Sequence, residues 1–400
     1  MRAVMYGAGN IGRGFIGQLF ASSRYEVTFI DVADNVIDAI NRDGRYPVRI
    51  LSEDAFEDRW VDGVKAVNGN NKEAAALAIA ECNVMATAVG VRVLPFIAPV
   101  IAAGIKKRLE AGGGALNIII CENLINANKI LEGLIKDHLS EEEKCFFDER
   151  VGLVEASIGR MVPIQKAEMQ DGNPLRVCVE AYGFLPVDKD AFKGEIPQIA
   201  GMYPFDNFDF YIQRKLFVHN MGHATCAYFG MVKGDEYIYQ TVRRSSILFI
   251  AQNAMLESAL ALSAEFNKPL PDLHFHIRDL LNRFSNKALG DTCARVGGDT
   301  ARKLGPEDRL VGAIKCCAGQ GITPAFISAG AGAALYVHLK EKQLGQNREA
   351  AETVLSTISG LARESEEAKR IILFYAMICE GADFKDIIAL AAKTGNKQII

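Results

Sequence analysis

A lysine, two histidines and an asparagine fall within the nine residues Lys215-Leu216-Phe217-Val218-His219-Asn220-Met221-Gly222-His223. Lysine can take or give a proton, while an amide and an imidazole can hold an oxygen on which charge develops. At about 100° per residue in an α-helix, Lys215, His219 and His223 lie near 0°, 40° and 80°, with Asn220 near 140°. The four share one side of the predicted helix. A face turned to solvent would more cheaply carry Glu and Lys, whereas Leu216, Phe217, Val218 and Met221 predict a mostly buried segment. Buried polar groups need partners. Two readings are open at this point: an active-site face, or a helix whose histidines are satisfied by neighbouring backbone.

A second kind of chemistry is suggested at the N-terminus. Residues 1–6 (MRAVMY) read as a short buried strand running into Gly7-Ala8-Gly9-Asn10-Ile11-Gly12, with a helix-like stretch through Ser22. In G-x-G-x-x-G the first glycine permits a tight turn, the second lets backbone approach a pyrophosphate, and the third lets helix and strand pack closely. The next predicted strand, 25–30 (YEVTFI), ends in Asp31, 22 residues after Gly9, about where an acid bonds the adenosine ribose. A carboxylate there would repel a 2′-phosphate, and Val32 and Ala33 follow it rather than arginine. NAD is therefore expected over NADP. A strand-end Asp that merely caps the next helix is the alternative.

These groups need elements to position them. Further strands are predicted at 83–89 (NVMATAV) and 115–120 (ALNIII), each preceded by a helix-like segment, and that alternation implies a parallel sheet. Ligands of such sheets sit beyond the carboxyl ends of the strands. That assigns Val89 and Gly90 to the cofactor site and Asn123, in Cys121-Glu122-Asn123, to the neighbourhood of a nicotinamide. A third apolar run, 151–156, leads to Gly159-Arg160-Met161, and 176–182 (RVCVEAY) adds a predicted strand at the domain's edge. Pro186, Pro197 and Pro204, with Gly194 and Gly201, break the periodicity of 184–208. From Phe210 the chain reads as helical, in long segments such as 246–266 and 349–379. The expected fold class is α/β plus α: a Rossmann-type NAD-binding domain over 1–200, then a mainly α-helical substrate and catalytic domain over 201–400. The cleft between them is the default site.

Bulk properties narrow the function. With 49% hydrophobic and 24% charged residues the composition is that of a soluble globular protein. The formal net charge is -4 and no lysine-arginine run stands out, so neither nucleic acid nor an anionic membrane is expected as partner. Glycines arrive after six residues, too early for a secretory signal, and no uncharged 18-residue apolar run follows. A cytoplasmic protein is expected. Nine cysteines lie scattered without a C-x-x-C pair, so neither disulfides nor structural zinc are expected. Adjacent Cys316 and Cys317 read as small buried thiols.

Taken together, GAGNIGRGFIG at the N-terminus, CENL at 121–124, K-x4-N-x2-H at 215–223 and NRFSNKALGDTCARVGGDTARKLGPEDRLVGA at 282–313 resemble the polyol-specific long-chain dehydrogenases. The likeness runs over nearly the whole chain. It implies a monomeric enzyme that couples NAD(H), without metal, to interconversion of a polyol or sugar acid with its keto form. It also implies Lys215 as general base, Asn220 and His223 as the groups holding the reacting oxygen, and Asn123 as a second amide beside it. His219 is not required by the pattern and is read as a supporting neighbour. Such a site needs a base and fixed donors for developing negative charge, and burial near a positive nicotinamide would depress a lysine pKa usefully. In the resemblance Arg295 and Lys303 line the substrate pocket, and Arg302 adds a further cation beside them. Guanidinium suits phosphate through bidentate bonds, which favours a small-molecule sugar or polyol phosphate over a free polyol. The alternative is surface arginines paired with Asp291, Asp299 or Asp308. The chain departs from the pattern at Gly297-Gly298, where phosphate-using members are expected to carry another basic residue.

Three competitors remain. Tyr211 and Lys215 spell the Y-x-x-x-K pair of short-chain dehydrogenases, but residues 6–13 do not match that family's T-G-x-x-x-G-x-G. A uronate reductase of the long-chain family would use Arg295 and Lys303 on a carboxylate. A non-catalytic NAD-responsive regulator would have no need of a base.

Overall fold

The structure, a computed structural model, describes residues 1–124 and 126–395. The chain divides into two compact units, Met1–Phe208 and Asp209–Ile400. The first is built on six parallel strands in the order Val64–Asn68, Glu26–Asp31, Arg2–Tyr6, Val84–Thr87, Leu116–Ile120 and Val151–Glu155. The chain starts at the middle of the sheet, builds outward to one side, then returns and builds to the other. The strand order thus reverses between Arg2–Tyr6 and Val84–Thr87, the place where such sheets open a crevice. The register keeps the carboxyl ends level: Tyr6 lies opposite Ile30 and Thr87, and Thr87 opposite Ile120.

The first strand reads as an unbroken apolar run because both of its faces are covered. Ala3 and Met5 enter one core with Phe15, Phe20, Val27 and Phe29. Val4 and Tyr6 alternate into the other, with Ile30, Met85, Ile101 and Leu116. The strand expected at the domain's edge over 176–182 is Val177–Glu180; it lies outside the main sheet and is an edge strand of a separate three-stranded one, pairing in parallel with Arg45–Leu51, itself antiparallel to Phe56–Asp62. Periodicity identifies a strand but not its partner. Here the partner is tied by charge as well, Arg49 and Arg176 both reaching Asp58, at 2.7 and 3.2 Å. Neither this hairpin nor Val64–Asn68 was read from the sequence.

The second unit is helical among the described residues. The segment 349–379 is two helices rather than one, Arg348–Thr357 and Glu366–Cys379. Gly360, at φ 62°, takes the left-handed turn between them, and Ser365 starts the second by accepting from Ala368 N–H. Small residues set the packing around Ala325–Lys342. A Cβ on Gly330 would lie 2.7 Å from Thr225 Oγ1, so the helix Met221–Lys233, which carries His223, approaches at backbone distance. Cys317 is buried, but Cys316 is only half-buried, its Sγ 3.5 Å from Glu265, which corrects the expectation of two buried thiols.

The helix Ser245–Phe266 is apolar and long enough to cross a membrane by length and composition alone, and 61% of its most apolar window is buried inside the protein. Its Glu257 is fully buried and accepts the N–H groups of Phe326 and Ile327, each at 2.9 Å, at the start of Ala325–Lys342. Burial pushes this carboxyl up from 4.5 to about 8 against those backbone bonds. A raised carboxyl holds its proton more tightly in the folded state, so its contribution is complete below the ordinary carboxylate range and is lost as pH rises through about 8. The wild-type thermal midpoint is expected to fall between about pH 6 and about pH 9. In Glu257→Gln, destabilised by about 1–3 kcal/mol through one weakened backbone bond, that fall flattens. Parallel pH profiles for the two proteins, measured by thermal melting, would remove Glu257 as the cause.

Candidate active site

The glycine turn follows directly from steric limits. Gly7 sits at φ 101°, and a Cβ there would be 2.5 Å from Ala88 O. A Cβ on Gly12 would be 1.9 Å from Gly7 O, so only hydrogen lets the helix start against the strand end. Gly9 instead faces open space, with nothing within 4 Å of a Cβ, as a loop that takes a ligand against its backbone requires. Asn10 is exposed and Ile11 half-buried beside it. The helix that follows begins with a wide i→i+5 turn, Gly12–Ile16, before Gly17–Ser22. Behind the loop the buried Arg13 holds Ala8 O at 2.6 Å and also reaches Leu175 O.

Asp31, at the end of the neighbouring strand, accepts from Ala8 N–H at 2.6 Å and from Val32 and Ala33 N–H at 2.8 and 3.0 Å. It ties the glycine loop to the second strand as well as shaping the turn before Asp34–Asp43. Further along the same sheet end, Gly90 takes φ 87°. Val89 N–H donates to Glu122 Oε1 at 3.1 Å, and Thr87 Oγ1 donates to Glu122 Oε2 at 2.7 Å. Burial raises the Glu122 carboxyl and these two donors pull it back. Asn123 follows on the surface. The first unit therefore gathers Gly7 to Gly12, Asp31, Val89-Gly90 and Glu122-Asn123 at the carboxyl ends of adjacent strands.

In the second unit, the segment holding Lys215 is not the α-helix expected. Arg214–Asn220 is a π-helix between Asp209–Gln213 and Met221–Lys233. Such wide turns are rare and concentrate at functional sites. Met221 N–H reaches back to Leu216 O, and an i→i+5 register stacks residues five apart. Asn220 is thereby carried toward the side of Lys215, instead of about 140° away as α-helical spacing would put it. Val218 and Met221 are fully buried, whereas Leu216 and Phe217 are half-buried, less covered than expected. Lys215 and Asn220 are half-buried.

His219 is buried, and burial holds its pKa well below the ordinary value, with Arg283, His223, His276 and Lys215 adding to the effect. It is a neutral ring beside the lysine. His223 stacks on Phe284, ring centres 4.5 Å apart and planes 11° from parallel. Its Nε2 is 3.2 Å from Asp291 Oδ2, ion-pair range, yet that geometry fails as a hydrogen bond and the buried Nε2 has no other hydrogen-bond partner among the described residues. A buried ring nitrogen left in this way marks a place where a ligand oxygen fits.

The predicted substrate cations are distributed unequally. Arg295 donates to Asp291 Oδ1 from Nε, at 2.7 Å, with Nη2 in ion-pair contact with the same oxygen and its side chain 42% exposed. Arg302 is shared between Asp299 at 2.6 Å and Asp308 at 2.8 Å. Lys303 is buried, its Nζ donating to Val296 O and Gly298 O. Burial, then Arg309 and Arg302, push it down to about 8. The Gly297-Gly298 turn is thus pinned by Lys303. Tyr211, the other half of the Y-x-x-x-K pair, is buried edge-on against Phe210 with the Arg214 guanidinium over its ring, in a packing role.

With this geometry in view, comparison with known proteins is decisive for the family. The mannitol dehydrogenase Rossmann domain matches residues 1–201 and the mannitol dehydrogenase C-terminal domain matches residues 207–394. The chain belongs to the mannitol dehydrogenase family. Its fold is similar to that of Pseudomonas fluorescens mannitol 2-dehydrogenase, solved as a ternary complex with NAD and D-mannitol, at 16% identity over 98% of this chain and 94% of that one, TM-score 0.77. A D-sorbitol dehydrogenase solved in substrate-free form is similar at 16% identity over 97% and 95% of the two chains, TM-score 0.78. At such identities the likeness is one of fold.

Within this family member, several contributors were not singled out from the sequence. Arg13 and Glu122 brace the two ends of the loop region, Phe284 sets the plane of His223, and Asp291 appeared only as a possible partner of Arg295. The four-residue spacing from Asp291 to Arg295 was the one sequence signal available. Because a Cβ on Gly12 has no room, Gly12→Ala is expected to cost about 1–3 kcal/mol. A thermal midpoint equal to wild type would show that the loop relaxes without cost.

Proposed function

We propose that this protein interconverts D-mannitol 1-phosphate and D-fructose 6-phosphate with NAD(H), using Lys215 as general acid and base. The observation that carries the catalytic reading is the buried Nε2 of His223, met by the Asp291 carboxylate alone among the described residues, one turn beyond a π-helix that bears Lys215 and Asn220. Family membership supports the reaction class. The open approach over Gly9 and the carboxylate of Asp31 fit an NAD pyrophosphate and adenosine ribose.

When bound, NAD(H) supplies the acceptor or donor of hydride. Lys215 takes the polyol hydroxyl proton at Nζ during oxidation and returns it to the carbonyl oxygen during reduction. Asn220 and His223 donate to that oxygen as negative charge develops. His219, neutral beside Lys215, adds no positive charge of its own. Asn123 supplies an amide at the nicotinamide end of the first unit, and Val89 and Gly90 line its loop. Arg295, with one edge on Asp291 and the rest exposed, is the group suited to a phosphate. A second reading, a free polyol or a uronate, is favoured by Arg302 and Lys303 being held by protein oxygens.

NADH oxidation against D-fructose 6-phosphate, D-fructose, tagaturonate and fructuronate separates these readings; fastest turnover is expected with the phosphate, and preference for another substrate would reassign it. Lys215→Ala is expected to lower turnover by about 10²–10⁴-fold with NADH affinity nearly unchanged. Near-wild-type turnover would remove lysine from the mechanism. Since Asp31 also holds Ala8 N–H, Asp31→Ala should weaken NADH binding while narrowing the gap between NADH and NADPH. Unchanged selectivity would mean that the ribose is read elsewhere.

A further inference from the structure

We infer that Asp291 is a positioning residue whose single buried carboxylate aligns His223 with Arg295, joining the group that holds the reacting oxygen to the group that meets the substrate's far end. This rests on the roles proposed above for His223 and Arg295.

Three contacts define the arrangement. Phe284, stacked on the imidazole, fixes the plane of the His223 ring and leaves its rotation within that plane to be set by another group. Asp291 Oδ2 does this from 3.2 Å, drawing Nε2 toward itself. Oδ1 meanwhile meets Arg295 Nε and Nη2 together, which fixes the guanidinium side-on and leaves its outer edge exposed.

The main chain that carries Asp291 is fixed by its neighbours. Asp291 O accepts from Ile238 N–H at 2.9 Å, and Cys293 N–H donates to Glu236 O at 2.8 Å. Thr292 caps the helix Cys293–Gly297 by accepting from Arg295 N–H at 3.2 Å. Asp291 and Arg295 thus sit on one rigid corner, with the His223 side chain 13% and that of Asp291 10% exposed. Burial raises the Asp291 carboxyl, but His223 and Arg295 outweigh it and hold the group below the usual carboxylate range, as an anion. A buried anion is costly unless matched, and here both matching groups are ones the reaction uses.

The test is a pair of double-mutant cycles with D-fructose 6-phosphate and NADH, or with D-fructose should the substrate panel select it. Asp291→Asn is expected to lower kcat/KM by about tenfold to a hundredfold, the worth of one charged hydrogen bond, through both parameters and with the NADH Kd unchanged. In a His223→Ala background Asp291→Asn should leave kcat within about twofold of the single variant, because coupled residues are not additive. In an Arg295→Gln background it should no longer raise KM. A merely structural carboxylate would instead give the same factors in every background, and that result overturns the inference, as does wild-type kinetics for Asp291→Asn. Should Asp291→Asn not fold, Asp291→Glu, which displaces the charge by one methylene, enters the same cycles with the same expectations. If His223→Ala keeps wild-type kcat, the role proposed for His223 fails and takes this inference with it. If His223→Ala is impaired while Asp291→Asn is not, only the inference about Asp291 fails.

Discussion

A carboxylate withdrawn from water must be met by donors, because several kcal/mol of lost hydration per ion have to be replaced locally. That constraint recurs at the working parts of both units. Asp31 is met by three backbone N–H groups and so ties the glycine loop to the next strand. Glu122 is met by Thr87 and Val89 and so holds the turn before Gly90. In the second unit Asp291 faces an imidazole and a guanidinium. Glu257, away from these groups, shows the other outcome: burial outweighs its two backbone donors, so it keeps its proton to higher pH while it starts a core helix. In each case an acid fixes a segment whose backbone would otherwise have several ways to lie.

The second organising device is close approach. Gly12 against Gly7 O and Gly330 against Thr225 are contacts that a single methyl group would abolish. The first lets a helix begin at the end of a strand, where its unpaired N–H groups face an anion. The second brings Met221–Lys233, the helix bearing His223, against Ala325–Lys342 at backbone distance. Packed in this way, the helix is a rigid mount for a side chain that must keep one orientation, while the π-turn just before it re-aims the residues that precede it.

The strands of the first unit were legible because both faces of a parallel sheet are covered, so runs such as AVMY and NIII are continuous in the sequence. Val64–Asn68 escaped notice because its VKAVN is short and half polar, and the hairpin before it, RYPVRIL with FEDRWVD, lies partly exposed. The break at Gly360 was hidden in an otherwise helical composition. Periodicity reports which face is covered but not what covers it, so Val177–Glu180 could be recognised as a strand without its partner Arg45–Leu51 being known.

The sequence by itself determined the order of chemistry along the chain: a glycine turn fitted to a dinucleotide, an acid at the next strand end, and a lysine, an asparagine and two histidines within nine residues. Those are local matters, decided by residue type and spacing; the family entered as a resemblance that the two family models bear out. Only the tertiary structure decided how the groups differ from one another. The π-register redirects Asn220 toward Lys215, and burial among cations makes His219 neutral. Phe284 and Asp291, some 60 to 70 residues further along the chain, meet His223 at its ring face and at Nε2. Arg295 and Arg302 are each met by carboxylates yet stay partly exposed, while Lys303 is buried on backbone carbonyls. Such distinctions depend on which distant residue arrives beside each group and how much water it displaces, and spacing along a chain carries no record of that.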